Sequence, residues 1–137
     1  DTLNPRSPEI YFGASRNTHL GNGKAKTIGI QNFFLPPNTK TNTVYFVGQW
    51  NIQDEFAENQ SNQAKIIFRY QGKNVYFVAG SENSINIKII KDGKFIGEQM
   101  VKEHKLYQLI QDLERGEHTL EIIIENPGLR AFTFTFG

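Results

Sequence analysis

The densest carboxylates of the chain lie in NIQDEFAENQ, where Asp54, Glu55 and Glu58 fall close together. Clustered oxygens are what a hard cation such as Ca²⁺ takes as ligands, and a facing pair of carboxylates is what glycoside hydrolysis uses. Neither pattern is complete. Calcium loops alternate acidic positions more strictly and include a glycine, and carboxylates this close in sequence do not imply groups facing each other across a cleft. A solvated loop is the default reading, with the trio kept as a calcium candidate. His19, His104 and His118 have no short-range His or Cys partner, and the chain has no cysteine, so metal pairs and thiol chemistry have no footing. Ser15 in FGASRN lacks the second glycine of a nucleophile elbow. The pairs Gly23-Lys24, Gly72-Lys73 and Gly93-Lys94 lack the earlier glycine of a phosphate loop. GNGKAKTIG has the wrong spacing for a dinucleotide fingerprint. The expectation is a non-enzymatic chain without a cofactor. Asn59-Gln60-Ser61 matches the N-glycosylation acceptor, a pattern that also arises by chance.

Aromatic rings are the remaining chemistry. Five Tyr, 11 Phe and one Trp are present, and most alternate onto strand faces where a core would claim them. Tyr11, Trp50, Phe56 and Tyr107 are less settled. They stand at strand ends or opposite the apolar set, where a flat ring can stack on a sugar. These four are the candidate ligand-binding residues. Trp50 is the most ambiguous, since its register with Val44 and Phe46 assigns it to a buried face.

The elements that would position them repeat with period two. AKIIFRY places Ala64, Ile66, Phe68 and Tyr70 on one side. Val75, Phe77 and Ala79 do the same, as do Ile85, Ile87 and Ile89, then Leu120, Ile122 and Ile124. The C-terminal AFTFTFG sets Phe132, Phe134 and Phe136 against Thr133 and Thr135, which predicts a terminal strand with all three Phe on a buried face. Asp92-Gly93 predicts a type I′ hairpin turn, and Gln71-Gly72-Lys73 and Glu114-Arg115-Gly116-Glu117 read as turns too. Pro36-Pro37-Asn38 breaks the chain, and GNGKAKT, 21 to 27, reads as a loop. EHKLYQLIQDL, 103 to 113, fits either a helix through Leu106, Leu109, Ile110 and Leu113, or a strand through Leu106, Gln108 and Ile110.

Many short strands without repeats or linkers predict one all-β domain over residues 1–137, an antiparallel sandwich or barrel. A chain of 137 residues can bury roughly 68% of its unfolded surface and needs no staple. With 15 Lys+Arg against 14 Asp+Glu and no like-charge run, no basic stripe offers itself to nucleic acid. The apolar runs are far shorter than the ~20 residues that span a bilayer, so direct membrane insertion is not expected. The chain starts at Asp1 without a Met and reads as part of a longer protein.

SPEIYFG (7 to 13), VGQW (47 to 50), AKIIFRYQGKNVYFVAG (64 to 80), KLYQLI (105 to 110) and HTLEIIIENPGLRAFTFTFG (118 to 137), in this order, resemble the C-terminal domain of DipZ-type proteins. The similarity runs from about Ser7 to Gly137. What the resemblance implies is a jelly-roll β-sandwich like that of carbohydrate-binding modules, which favours the strand for 105 to 110. It also implies a parent with a thioredoxin-like domain carrying a CxxC motif and a membrane segment related to cytochrome c biogenesis proteins. In such a parent the domain is an accessory module of an envelope thiol-disulfide oxidoreductase. It would sit in the periplasm or elsewhere outside the cytoplasm, with a glycan or the thioredoxin-like domain as partner and the redox chemistry upstream. The alternative is a structural module docking on the thioredoxin-like domain or its substrate proteins.

Overall fold

The computed structural model describes residues 5–137. Its nine strands are β1 (Ile10–Tyr11), β2 (Gly29–Phe33), β3 (Val44–Ile52), β4 (Ala57–Asn59), β5 (Ala64–Gly80), β6 (Ile85–Lys91), β7 (Lys94–Val101), β8 (Lys105–Ile124) and β9 (Arg130–Phe136). All pairings between them are antiparallel. The first half of β5 lies between β3 and the second half of β8, and this layer extends through β6 to β7 on one side and to β2 on the other. The second half of β5 lies between the first half of β8 and β9, whose far side carries β1 and β4. Because β4 also pairs with β3, the two layers are joined at that edge. The result is an antiparallel jelly-roll β-sandwich.

Two long strands thus serve both layers, and this corrects the expectation of turns at Gly72 and at Glu114–Glu117. Gly72 pairs with Gly116, and the next pair is Asn74 with Gln111, so β5 and β8 bend together through a bulge and continue. Paired glycines put no side chain at the crossing, and a bulge supplies the local kink. A glycine that resembles a stop in sequence is here a corner. Asp92-Gly93, by contrast, is the tight turn its sequence predicts, with φ of 51° and 79° between β6 and β7.

Rings from the facing layers interlock. Phe68 lies 5.9 Å from Phe134 and 5.4 Å from Phe136, and Phe12 lies 5.8 Å from Phe46. All five are buried, each stabilising the fold by roughly 2 kcal/mol. Segment 105 to 110 is strand, its backbone paired with β5 from Ala79 to Val75. Tertiary pairing overrides the 3.6 period here. Tyr107 and Leu109 face the core while Leu106 and Gln108 face outward.

The terminal strand departs from simple alternation. Thr133 pairs with Val78 and Ala131 with Ala79, which leaves Phe132 in a bulge. Ala131, Phe134 and Phe136 are buried, whereas Phe132 is only half-buried. One extra residue flips the faces upstream of it, so the expectation of three core Phe holds for two.

Candidate functional site

The expelled Phe132 founds an aromatic patch on the outer side of β9. His104 stacks on it with ring centroids 4.1 Å apart and planes within 13°, and Phe56 packs at 5.3 Å and 46°. Phe56 reaches this position from the tight turn between β3 and β4, closed by the Gln53 amide donating to the Phe56 carbonyl at 2.8 Å. Gly13 lets that turn settle against β1, since a Cβ there would collide with the Asp54 and Glu55 backbone. Arg130, two residues before Phe132, lies with its guanidinium carbon 5.6 Å from the Phe56 ring centre. Its Nε donates to Glu58 Oε1 at 3.0 Å, and its far nitrogen lies 3.5 Å from Glu82. Two shallow hollows of about 130 and 140 Å³ adjoin the patch and share Ser81, Glu82 and Arg130.

The loop that presents His104 is fastened from beneath. The Tyr107 hydroxyl donates to the Glu103 carbonyl at 2.7 Å and accepts from the Lys102 amide at 3.1 Å. The Ser81 amide donates to the Lys102 carbonyl at 2.7 Å. Gly80 provides the floor: a Cβ there would stand 3.0 Å from His104 Cα. The assembly offers flat apolar area beside a guanidinium and carboxylates. Such a surface suits a ligand with one C–H face and several hydroxyls.

Of the four aromatic candidates, Phe56 alone stands within this patch. Trp50 is fully buried, its ring 4.4 Å from Phe46 and its indole N–H donating to the Val47 carbonyl at 3.1 Å. With no free face it leaves the candidate set, because its in-phase position with Val44 and Phe46 decides its side. Tyr107 is 5% exposed and positions the loop instead of offering a platform. Tyr11 is half-buried opposite Thr133, next to Phe132 in sequence. Arg16 covers its ring at 3.7 Å, and its phenol is raised above the ordinary value, chiefly by the hydrogen bond with Glu9.

The acidic trio is split. Asp54 and Glu55 are exposed in the turn, where the Asp54 carbonyl accepts from the Ser15 amide and hydroxyl, while Glu58 sits on β4 bound to Arg130. Among the described residues no group of three or more His, Cys, Asp or Glu is placed to hold a metal ion. Asn59 is fully buried and tied to Ser61, Asn126 and Leu129, which removes it as a glycosylation acceptor in the folded chain. Arg130 and Glu82 carry no signal of their own in the sequence, while His104 reads there only as a histidine without a metal partner and Phe132 only as a core residue. They meet through a bulge and two loops, and only the closing PGLRAF segment carried a local hint, in an arginine two residues before a Phe.

Residues 7–137 match the family described as the thioredoxin-like C-terminal domain, and the chain belongs to that family. Among curated relatives, it is 30% identical over 138 aligned positions to Protein DipZ of Mycobacterium bovis and to Protein DipZ of Mycobacterium tuberculosis. The alignment covers 98% of this chain and 19% of each relative. Among solved structures, it is similar to a family two carbohydrate esterase from Clostridium thermocellum in complex with cellohexaose, at TM-score 0.64 and 17% identity over 69% of this chain and 31% of that one. It is likewise similar to a family two carbohydrate esterase from Cellvibrio japonicus, at TM-score 0.60 and 18% identity over 68% of this chain and 30% of that one. These structural likenesses speak for the fold. Among the described residues no helix is long and apolar enough to cross a membrane.

Proposed function

We propose that this domain is a non-catalytic, carbohydrate-binding-like accessory module of an envelope thiol-disulfide oxidoreductase, working outside the cytoplasm. The glycan lies on the Phe56, Phe132 and His104 patch. The observation that carries the reading is the half-exposed ring stack beside Arg130 and its two carboxylates, which pairs a sugar's apolar face with groups for its hydroxyls. The complex of a fold neighbour with cellohexaose is in keeping with it. A shallow site of this kind binds no tighter than about micromolar.

A second reading has its own observation. The outer strands of the larger layer expose Ile30, Phe95, Ile96 and Met100, and unpaired edges with apolar side chains suit a protein partner such as the thioredoxin-like domain or its substrates. Amide chemical shifts recorded during titration with cello-oligosaccharides and cell-wall oligosaccharides separate the two. Saturable shifts confined to Phe56, His104, Arg130 and Phe132 support the glycan. Silence with every glycan, together with shifts along β2 or β7 on adding the isolated thioredoxin-like domain, replaces it with docking.

A further inference from the structure

At the opposite end of the second half of β5 from the patch, β8 makes an excursion. Its residues Asp112–Arg115 stand against Lys73 alone, and Leu113 at the crest is 95% exposed. So exposed a segment needs a fastening, and the side chain that provides it is Asp112. Lys91 Nζ lies 2.8 Å from both of its carboxylate oxygens, donating to Oδ1. His118 Nε2 faces Oδ2 from 3.7 Å. The other imidazole nitrogen, Nδ1, lies 2.6 Å from Asp92 Oδ2, while Asp92 Oδ1 accepts from the Thr119 amide at 2.8 Å. One imidazole therefore stands between a carboxylate of the β6–β7 turn and a carboxylate of the excursion.

The two nitrogens make this arrangement sensitive to protons. A neutral imidazole carries a single N–H, and with Nδ1–H given to Asp92, Nε2 turns a lone pair toward Asp112. The imidazolium keeps the hydrogen bond to Asp92 and turns its second N–H and its positive charge toward Asp112, an ion pair at 3.7 Å that draws the two carboxylates to one cation. The other charged groups around it do not compete for the bridge. Lys91, from β6, serves Asp112 in either state. Tyr70, from β5, packs its ring 5.8 Å from that of His118, and burial, with the charges of Asp112 and Asp92 adding to it, pushes its phenol up so that it stays neutral. Glu117 is turned to Arg69 at 3.0 Å, and Glu114 and Arg115 belong to the excursion itself.

We propose that Asp112–Arg115 is a pH-sensitive strap, fastened to the β6–β7 turn by protonated His118 and loosened when His118 loses its proton. Hydrogen exchange of the whole domain tests it. After correction for the intrinsic pH dependence of exchange, amides 112–115 should exchange about threefold more slowly at mildly acidic than at mildly alkaline pH, the size of effect a partly exposed ion pair gives. His118→Gln should abolish that difference, and Asp112→Asn should leave the strap loose at both pH values. Imidazole carbon shifts in the unaltered protein give a reading independent of any variant. Equal protection at the two pH values, a difference that survives His118→Gln, or an imidazole that keeps one charge state across the range overturns the proposal.

Discussion

Phe134 and Phe132 are two residues apart on β9 and belong to different parts of the molecule. Phe134 is fully buried among Phe12, Phe68 and Phe77, with ring centroids 5.0, 5.9 and 5.2 Å away. Phe132 is half-buried and lies on the outer surface between His104 and Phe56. Residue type and alternation are the same for both. What separates them is a single bulge opposite Val78 and Ala79, and the lesson is that the face of a strand is a property of register as well as of pattern. The inner face holds the sandwich together, while the outer ring is available for something else.

The comparison is tested hardest from the inside. Phe134→Ala removes a ring that both layers touch and leaves a cavity that close-packed neighbours fill only in part. The expected cost is about 3–5 kcal/mol, read as a lower midpoint in chemical denaturation. Deleting residues 131–137 goes further by taking Ala131, Phe134 and Phe136 away from β5 at once, and should abolish cooperative unfolding. A truncated chain that melts sharply at the original temperature would show that β9 contributes nothing to the core.

An intermediate effect is expected where the inner and outer faces meet. Tyr107 has its ring in the core and its hydroxyl on the loop that carries His104. Tyr107→Phe keeps the ring and loses both hydrogen bonds, costing about 1 kcal/mol. The larger consequence is local, because the loop is freed and His104 no longer lies flat on Phe132. Amide exchange at Lys102, Glu103 and His104 should quicken while the strands keep their protection. Unchanged exchange in this loop would assign its order to the Ser81–Lys102 hydrogen bond instead.

How far the sequence could be read follows the same division. Wherever pairing runs without interruption, as at Ile66, Phe68 and Tyr70 or at Ile85, Ile87 and Ile89, period two marks the buried face correctly. The burial of Trp50 follows from its phase with Phe46. The Asp92-Gly93 turn was legible because its chemistry is local. The bulges were not, since an extra residue leaves no trace in composition and is imposed by the partner strand. Gly72 and Gly116 looked like turns because a glycine reports local permissiveness and not the partner that uses it. The candidate patch was legible only in Phe56, as its other members come from β9, the β7–β8 loop and the segment after β5, which are brought together by tertiary pairing.

The smallest change in stability is expected at Phe132 itself, and there the two faces can be told apart most sharply. Phe132→Ser removes a half-exposed ring that touches His104 and Phe56 and leaves the inner side of β9 intact, so the fold should lose no more than about 1 kcal/mol. Trp50 supplies the internal control, being buried against Phe46 with no face toward the patch. Its emission should be blue-shifted, poorly quenched by iodide, and the same in the variant as in the parent. Glycan binding, followed by amide shifts at Phe56, His104 and Arg130, should meanwhile disappear. If Phe132→Ser instead costs as much as Phe134→Ala and shifts the Trp50 emission to the red, the outer ring belongs to the core and the patch is packing. If stability and emission hold while binding of a responsive glycan also persists, the sugar lies elsewhere on the sandwich and the Phe132 bulge has another use.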